Sequence, residues 1–105
     1  MKEITVQELK ELKDSGEDFE LIDVRKLEEF EHCQIGGKLI PMDVIPERYP
    51  EIPKDKKVIV HCKKGGRSAR VIEWLQVNFG YDNLYNLKGG ILEWSEEIDP
   101  SVPQY

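Results

Sequence analysis

The sequence has 105 residues, of which 15 are Lys or Arg and 21 are Asp or Glu, so its formal net charge at pH 7 is −6. The length predicts one domain over residues 1–105, and the negative charge argues against a nucleic-acid partner. No apolar run approaches the roughly 20 residues of a membrane-spanning helix, and the segment after Met1 does not resemble an export signal. We therefore expect a cytoplasmic protein with neither a membrane nor a nucleic-acid partner.

Two cysteines, Cys33 and Cys62, are too few for a disulfide scaffold. There is no Cys-x-x-Cys motif, and the two histidines do not cluster at zinc-site spacing, so the sequence predicts no metal and no cofactor. An isolated cysteine in a reducing compartment is either inert packing or a reactive thiol. The residues around each cysteine must distinguish the two.

The predicted elements alternate between strands and helices. In chain order they are a strand at 4–6, a helix over 5–13, a strand over 19–24, a helix over 26–32, a strand at 39–40, helical turns within 43–49, a strand over 57–61, a helix over 68–79, a strand over 83–87 and a helix over 90–97. Thr5 is placed to cap the first helix, and Gly80 to end the longest one. The apolar run Val58–Val60 is typical of a strand that is buried on both faces.

This alternation predicts right-handed crossovers, and hence an α/β fold with a central, mostly parallel five-stranded sheet and helices on both faces. In such folds ligands bind beyond the carboxyl ends of the strands. Two places meet that condition, the turn after Ile22 and the loop after His61.

The loop after His61 has the composition of an anion cradle around a thiol. Its residues are Cys62, Lys63, Lys64, Gly65, Gly66 and Arg67, with Ser68 opening the next helix. Amides in a Gly-containing loop can form a nest for an anion, and the helix N-terminus points its free N–H groups and dipole to the same place. Three positive side chains add to this field. We expect the pKa of Cys62 to lie below the ~8.5 of a free cysteine.

The alternative is that Cys62 is a small buried apolar residue and that the charged loop is only solvated. The order of strand, cysteine, glycines, cations and helix favours the nucleophile.

The segment from Val60 to Arg70 resembles the active-site loop of rhodanese-type sulfurtransferases. Three further stretches resemble the same family in the family's order, and together they span nearly the whole chain: 21–25, 35–41, and 83–91 with Trp94 close behind. The resemblance implies the rhodanese fold in its single-domain form. One departure is Gln34–Lys38, where the family often has His-Ile-x-Gly-Ala. This departure concerns the shape of the part of the site that this segment forms in the family, and not the nucleophile.

The resemblance also implies a reaction. Cys62 would accept sulfane sulfur from a donor such as thiosulfate and pass it to cyanide or to a thiol, including one on a thioredoxin-like or sulfur-relay protein. Sulfur transfer needs a thiolate, and the amide cradle would hold the anionic persulfide. We predict that Lys63 and Lys64 attract the small anionic donor and that Arg67 closes the far side of the cradle. Gly65 and Gly66, which have no Cβ, are expected to let the backbone approach the bound group.

Three residues are predicted to support this site without reacting. Asp23 and Arg25 flank the end of the second strand and are expected to brace the active-site region. Their alternatives are a helix N-cap for Asp23 and a surface ion pair for Arg25. Ser68 is expected to cap the helix. The acids Glu28, Glu29 and Glu31 resemble a solvated helix face.

The remaining polar candidates are predicted to be inert. His61 lies on a strand, so its side chain should point away from Cys62, and we do not expect it to be a general base. Cys33 could be a resolving thiol, but no neighbouring cation in the sequence would activate it.

Two other function classes compete with sulfur transfer. The first is a phosphatase or arsenate reductase with a Cys…Arg loop, but such enzymes generally have five residues between the two, whereas four separate Cys62 from Arg67. The second is a non-catalytic interaction module. Such modules usually lack the cysteine that is present here.

Overall fold

The central sheet contains five strands, and all of its pairings are parallel. The computed structural model describes residues 1–105 and gives the strand order β1-β5-β4-β2-β3. The strands are β1 (Glu3–Ile4), β2 (Phe19–Asp23), β3 (Lys38–Leu39), β4 (Lys57–His61) and β5 (Leu84–Leu87). The two longest, β2 and β4, are neighbours at the centre, because their apolar runs can be buried on both faces.

Helices cover both faces of this sheet. They are α1 (Val6–Ser15), α2 (Leu27–His32), α3 (Ile45–Arg48), α4 (Gly66–Phe79) and α5 (Gly90–Glu97), with 3-10 turns at Met42–Val44 and Tyr49–Glu51. One apolar cluster joins α3 and α4 to the sheet, and a second joins α1 and α5 to its other face. None of the helices has the length and apolar character needed to cross a membrane.

Side-chain alternation along β4 separates the residues near its end. Val58, Val60 and Cys62 belong to the cluster beneath α4, whereas Ile59 belongs to the cluster on the α1 and α5 face. His61 lies two residues after Ile59 and therefore on the same face of the sheet. The sulfur of Cys62 therefore faces α4, and the imidazole of His61 lies on the other side of the sheet.

Helix α4 begins at Gly66, two residues before the predicted start. Its N-cap is Gly65, whose φ of 113° lies in the left-handed region that favours glycine. The helix therefore starts inside the cysteine loop itself. As a consequence, the prediction that Ser68 caps the helix is wrong, since Ser68 lies in its first turn.

Candidate active site

The sulfur of Cys62 is surrounded by hydrogen-bonding groups of the loop and of the first turn of α4. The Gly65 amide donates to Sγ at 3.1 Å, and the Ser68 amide donates at 3.4 Å. The Ser68 hydroxyl oxygen lies 3.3 Å from the same sulfur. Burial acts to raise the pKa of Cys62, but the amides of Ser68, Gly65 and Arg67 hydrogen-bond to the sulfur, and the pKa is lowered overall.

The N-terminus of α5 fixes the backbone of this loop. Ile91 donates its amide to the Cys62 carbonyl at 3.0 Å, and Leu92 donates to the Lys63 carbonyl at 3.2 Å. Gly90 has a φ of 63° and lies so close that a Cβ at this position would overlap the Lys63 carbonyl. The loop carbonyls are thus bound from behind, which leaves the loop amides free to face the sulfur.

A shallow hollow of about 360 Å³ opens over the sulfur. It is lined by Cys62, Lys63, Lys64, Gly66, Arg67 and Arg70. Of the cations, Lys64 and Arg70 are exposed, whereas the Lys63 ammonium lies 4.5 Å from the ring centre of Tyr105. The predicted loop cations therefore do line one opening.

Arg67 is held by a partner that the sequence did not indicate. Its guanidinium donates to the two carboxylate oxygens of Glu29 at 2.6 and 3.0 Å. These bonds lower the pKa of Glu29 to about 2 and raise that of Arg67. The prediction that Glu29 belongs to a solvated face is wrong, and Arg67 lines the hollow with its charge already paired.

Ser68 and Asn86 form a buried polar pair behind Cys62. The Ser68 hydroxyl donates to Asn86 Oδ1 at 2.5 Å, and Asn86 Nδ2 donates to the Gly65 carbonyl at 3.1 Å. Both side chains are buried. Ser68 thus contacts the sulfur directly. Asn86 does not contact it, but binds two residues that do, Ser68 and Gly65.

Asp23 and Arg25 form an ion pair with no solvent exposure on either side chain. Arg25 Nη2 donates to Asp23 Oδ2 at 2.7 Å and to the Cys33 carbonyl at 2.7 Å. Burial alone would lower the pKa of Arg25, but the bonds to Asp23 and Tyr105 raise it. The alternatives of a surface pair and of an Asp23 N-cap are wrong, because α2 is capped at Lys26.

The pair is linked to the cysteine loop by side chains alone. Arg25 Nη1 donates to the Tyr105 hydroxyl at 3.0 Å, and that hydroxyl donates to Glu29 at 2.7 Å. Glu29 in turn binds Arg67. The ends of β2 and of the cysteine loop are therefore joined through one hydrogen-bonded chain.

His61 is buried beside Asp23, with its Nε2 3.6 Å from Asp23 Oδ2. Burial lowers its pKa to about 4, so the ring is neutral at pH 7. Its Nε2 has no hydrogen-bond partner. A neutral imidazole on the other side of the sheet does not reach the Cys62 sulfur as a base.

Comparison with known proteins identifies the family. Residues 5–97 match the rhodanese-like domain. The chain belongs to this family. A protein named Sulfurtransferase from Allochromatium vinosum is 36% identical over 97% of this chain and 95% of its own length. A crystal structure of a rhodanese-like domain protein from Staphylococcus aureus has a TM-score of 0.84 and 38% identity, covering 93% of this chain and 95% of that one.

Some relatives are much longer than this rhodanese-like domain. The Rhodanese-like/PpiC domain-containing protein 12, chloroplastic, of Arabidopsis thaliana is 37% identical over the whole chain, which spans 38% of that protein. The fold expected from the sequence, an α/β rhodanese-like sheet of five strands, is confirmed by the family match and by the Staphylococcus aureus structure.

Cys33, the other cysteine of this rhodanese-like domain, is packed in the apolar cluster beneath α1 and α5. Arg25 Nη1 lies 3.8 Å from the Cys33 sulfur, so the fold places beside Cys33 a cation that the neighbouring residues in the sequence did not indicate. This cation comes from eight residues earlier in the chain and is already paired with Asp23.

Sequence reasoning missed three residues around the cysteine loop: Glu29, Asn86 and Tyr105. For Asn86 a signal existed, since it is the only strongly polar residue in the apolar run 84–87. Glu29 lies 38 residues from Arg67, and Tyr105 lies 80 residues from Arg25, so only the assembled fold brings these pairs together.

Proposed function

We propose that this rhodanese-like domain is a sulfurtransferase whose nucleophile is Cys62. One observation supports it most: Cys62 directly follows the central strand, and its sulfur accepts hydrogen bonds from the amides of Gly65 and Ser68 beneath an open cationic hollow. Amide donors stabilise both a thiolate and the anionic persulfide formed from it. The sulfurtransferase name of the Allochromatium vinosum relative agrees with this activity.

With thiosulfate as donor, the reaction has two steps. The Cys62 thiolate attacks the outer sulfur of thiosulfate, an S–S bond forms at Sγ, and the donor's S–S bond breaks to release sulfite with its electron pair. Cyanide, or an acceptor thiolate, then attacks the outer sulfur of the persulfide. The bond to Sγ breaks, the thiolate is regenerated, and thiocyanate or a new persulfide leaves.

The residues of the loop and of the Asp23–Arg25 pair have three roles in this proposal. Lys63 and Lys64 attract the anionic donor, and Gly65 and Gly66 let the backbone approach the transferred sulfur. Asp23 and Arg25 brace the loop through Tyr105 and Glu29. The acceptor is cyanide or a thiol, including a thiol carried by a thioredoxin-like or sulfur-relay protein.

The pairing of Arg67 argues against a phosphatase. An oxyanion-binding Cys…Arg loop needs a guanidinium directed at the phosphate, whereas both terminal nitrogens of Arg67 already donate to Glu29, at 2.6 and 3.0 Å. A persulfide is smaller than a phosphate group and can be held by the amides alone. The loop of four residues between Cys62 and Arg67 suits the smaller group.

The test is intact mass spectrometry after incubation with thiosulfate. We expect a gain of about 32 Da, one sulfur atom, on Cys62, and its removal as thiocyanate when cyanide is added. Sulfur found on Cys33 only, or no gain of mass, contradicts the proposal. Aryl-phosphate hydrolysis that depends on Cys62 would favour the phosphatase instead.

A further inference from the structure

The polar pair behind Cys62 has a fixed direction of hydrogen bonding. Asn86 Nδ2 donates to the Gly65 carbonyl at 3.1 Å, so Oδ1 is the atom that faces Ser68. The opposite amide orientation would direct two carbonyl oxygens at each other, at a residue only 5% exposed. The Gly65 carbonyl therefore determines which atom Asn86 offers to Ser68.

Ser68 has one hydroxyl proton, and this proton is used by Asn86. Its Oγ donates to Oδ1 at 2.5 Å, and the side chain is fully buried, so no water replaces either partner. The same Oγ lies 3.3 Å from the Cys62 sulfur. With its proton directed at Asn86, Ser68 presents only lone pairs to that sulfur.

We propose that Asn86 is a positioning residue that keeps the Ser68 hydroxyl turned away from Cys62, so that Ser68 faces the sulfur as a hydrogen-bond acceptor. A protonated thiol can donate to that oxygen, whereas a thiolate meets lone pairs. The amides of Gly65 and Ser68 favour the thiolate, and Asn86 opposes part of their effect through Ser68.

This role has a use in sulfur transfer, and that part rests on the proposed function. In the persulfide the negative charge moves to the outer sulfur, and Sγ becomes neutral. Ser68 lone pairs then oppose no charge at Sγ. Asn86 therefore destabilises the free thiolate relative to the persulfide and favours the sulfur-loaded state. A thiol that is not fully acidic is also the better nucleophile near neutral pH.

A purely supporting role for Asn86 predicts the opposite effect. If Asn86 mattered only because it holds the Gly65 carbonyl, its removal would loosen the amide cradle. The thiolate would lose hydrogen bonds, and the pKa of Cys62 would rise. The direction of the change in pKa therefore separates the two roles.

The other charged and titratable side chains near Cys62 are the same in all the variants below. They are Lys63, Lys64, Arg67 and Arg70 on the loop and α4, His61 on β4, Asp23 and Arg25 on β2, Glu29 on α2, and Tyr105. His61, with a pKa of about 4, does not change charge between pH 5 and pH 10.

The experiment measures the pKa of Cys62 in a double-mutant cycle. Four proteins, all with Cys33→Ala so that one thiol remains, carry no further change, Ser68→Ala, Asn86→Ala, or both. The pH dependence of the iodoacetamide alkylation rate reports the thiolate, with thiolate absorbance as a second readout. Neither readout needs sulfur transfer, so this proposal can fail while the proposed function stands, and the reverse.

We expect Asn86→Ala to lower the pKa of Cys62 by about 0.5 to 1, because the freed Ser68 hydroxyl can donate to the thiolate. Adding Ser68→Ala to Asn86→Ala should raise the pKa again, whereas Ser68→Ala alone should not raise it. A higher or unchanged pKa in Asn86→Ala overturns the proposal. So does a rise in Ser68→Ala alone as large as the rise on the Asn86→Ala background. Asn86→Leu, whose side chain has the same number and branching of heavy atoms, repeats the test if the alanine variant does not fold.

Discussion

The two cysteines differ in the groups around their sulfur and hardly in burial. Both are buried, with 1% of Cys62 and 8% of Cys33 exposed. Two amides and a hydroxyl lie within 3.4 Å of the Cys62 sulfur, whereas the Cys33 sulfur has one donor, an Arg25 nitrogen at 3.8 Å. Burial alone does not distinguish an inert thiol from a nucleophile in this molecule.

The difference arises from what each backbone amide is already bound to. Cys33 is the C-cap of the six-residue helix α2, where its amide donates to the Glu29 carbonyl and its carbonyl accepts from Arg25. Cys62 precedes a helix whose first amides have no backbone partner, and a positive-φ glycine turns them toward the sulfur. The one donor at the Cys33 sulfur is the Arg25 guanidinium, and its positive charge is already matched by the carboxylate of Asp23.

The largest expected effect comes from exchanging each cysteine for alanine. Cys62→Ala should reduce thiosulfate–cyanide sulfur transfer by about three orders of magnitude or more, because the attacking atom is lost. Cys33→Ala should leave turnover within about twofold, because its sulfur does not reach the hollow. Thiocyanate formation measures both. Comparable losses in the two variants would remove the distinction between the cysteines.

A second effect concerns the buried ion pair of Asp23 and Arg25, which is linked both to Cys33 and to the Cys62 loop. Asp23→Asn leaves the Arg25 charge buried without a counter-charge, and we expect a loss of about 3 kcal/mol in the free energy of unfolding. Urea unfolding measures it. Alkylation of Cys33 should accelerate more than that of Cys62, because Arg25 directly contacts Cys33.

The matched control is Asp18→Asn, which breaks the exposed Lys56–Asp18 pair, where 81% of the Asp18 side chain is accessible. Surface pairs contribute little, so we expect a change below about 0.5 kcal/mol. If the two variants unfold at the same urea concentration, Asp23 and Arg25 do not brace the carboxyl end of the sheet.

Local pattern was sufficient for the elements that carry the nucleophile. The apolar run of β4 and the helical periodicity over 68–79 predicted a buried strand and a long helix, and the cysteine loop lies between them. The start of α4 was missed by two residues because its N-cap is Gly65, which offers no side-chain capping signal. The glycines and cations of the loop were found because they are adjacent in sequence.

Contacts between distant residues could not be predicted in the same way. The partner of Arg67 is Glu29 on another helix, and the partner of Ser68 is Asn86 on a neighbouring strand. Such pairs depend on strand order and on the angle of each helix, which hydrophobic periodicity does not specify. The loop could therefore be identified from sequence, but not which of its charges are already paired.

A smaller effect is expected from freeing Arg67. Glu29→Gln removes the carboxylate that holds the guanidinium, so Arg67 becomes available to an anionic donor. We expect the KM for thiosulfate to fall about two- to fivefold with little change in kcat, since the gain is in binding. Steady-state kinetics measure it, and Glu28→Gln, an exposed neighbour, should change neither constant. A raised KM would mean that Glu29 aligns Arg67 for the donor.

The same pair predicts a pH dependence with a definite sign. The pKa of Glu29 is lowered to about 2 in the folded protein, below its ordinary value of 4.5. Its contribution to stability is therefore complete above pH 4.5 and is lost as the pH falls toward 2. Acid unfolding of Glu29→Gln should lack this component, and the difference from the unmodified protein should shrink as the pH falls.

The smallest effect tests the exposed cations of the hollow. Lys64→Ala should raise the KM for thiosulfate about twofold at low salt, because one long-range attraction is lost, and added salt should reduce the difference. Lys63→Ala should do the same but also loses the Tyr105 ring contact, so Lys64 gives the cleaner measurement. Lys10→Ala, on α1, is the control for net charge. An equal, salt-sensitive rise in Lys10→Ala would show that total charge and not the position of Lys64 attracts the donor, and the field around Cys62 would then come from the amides alone.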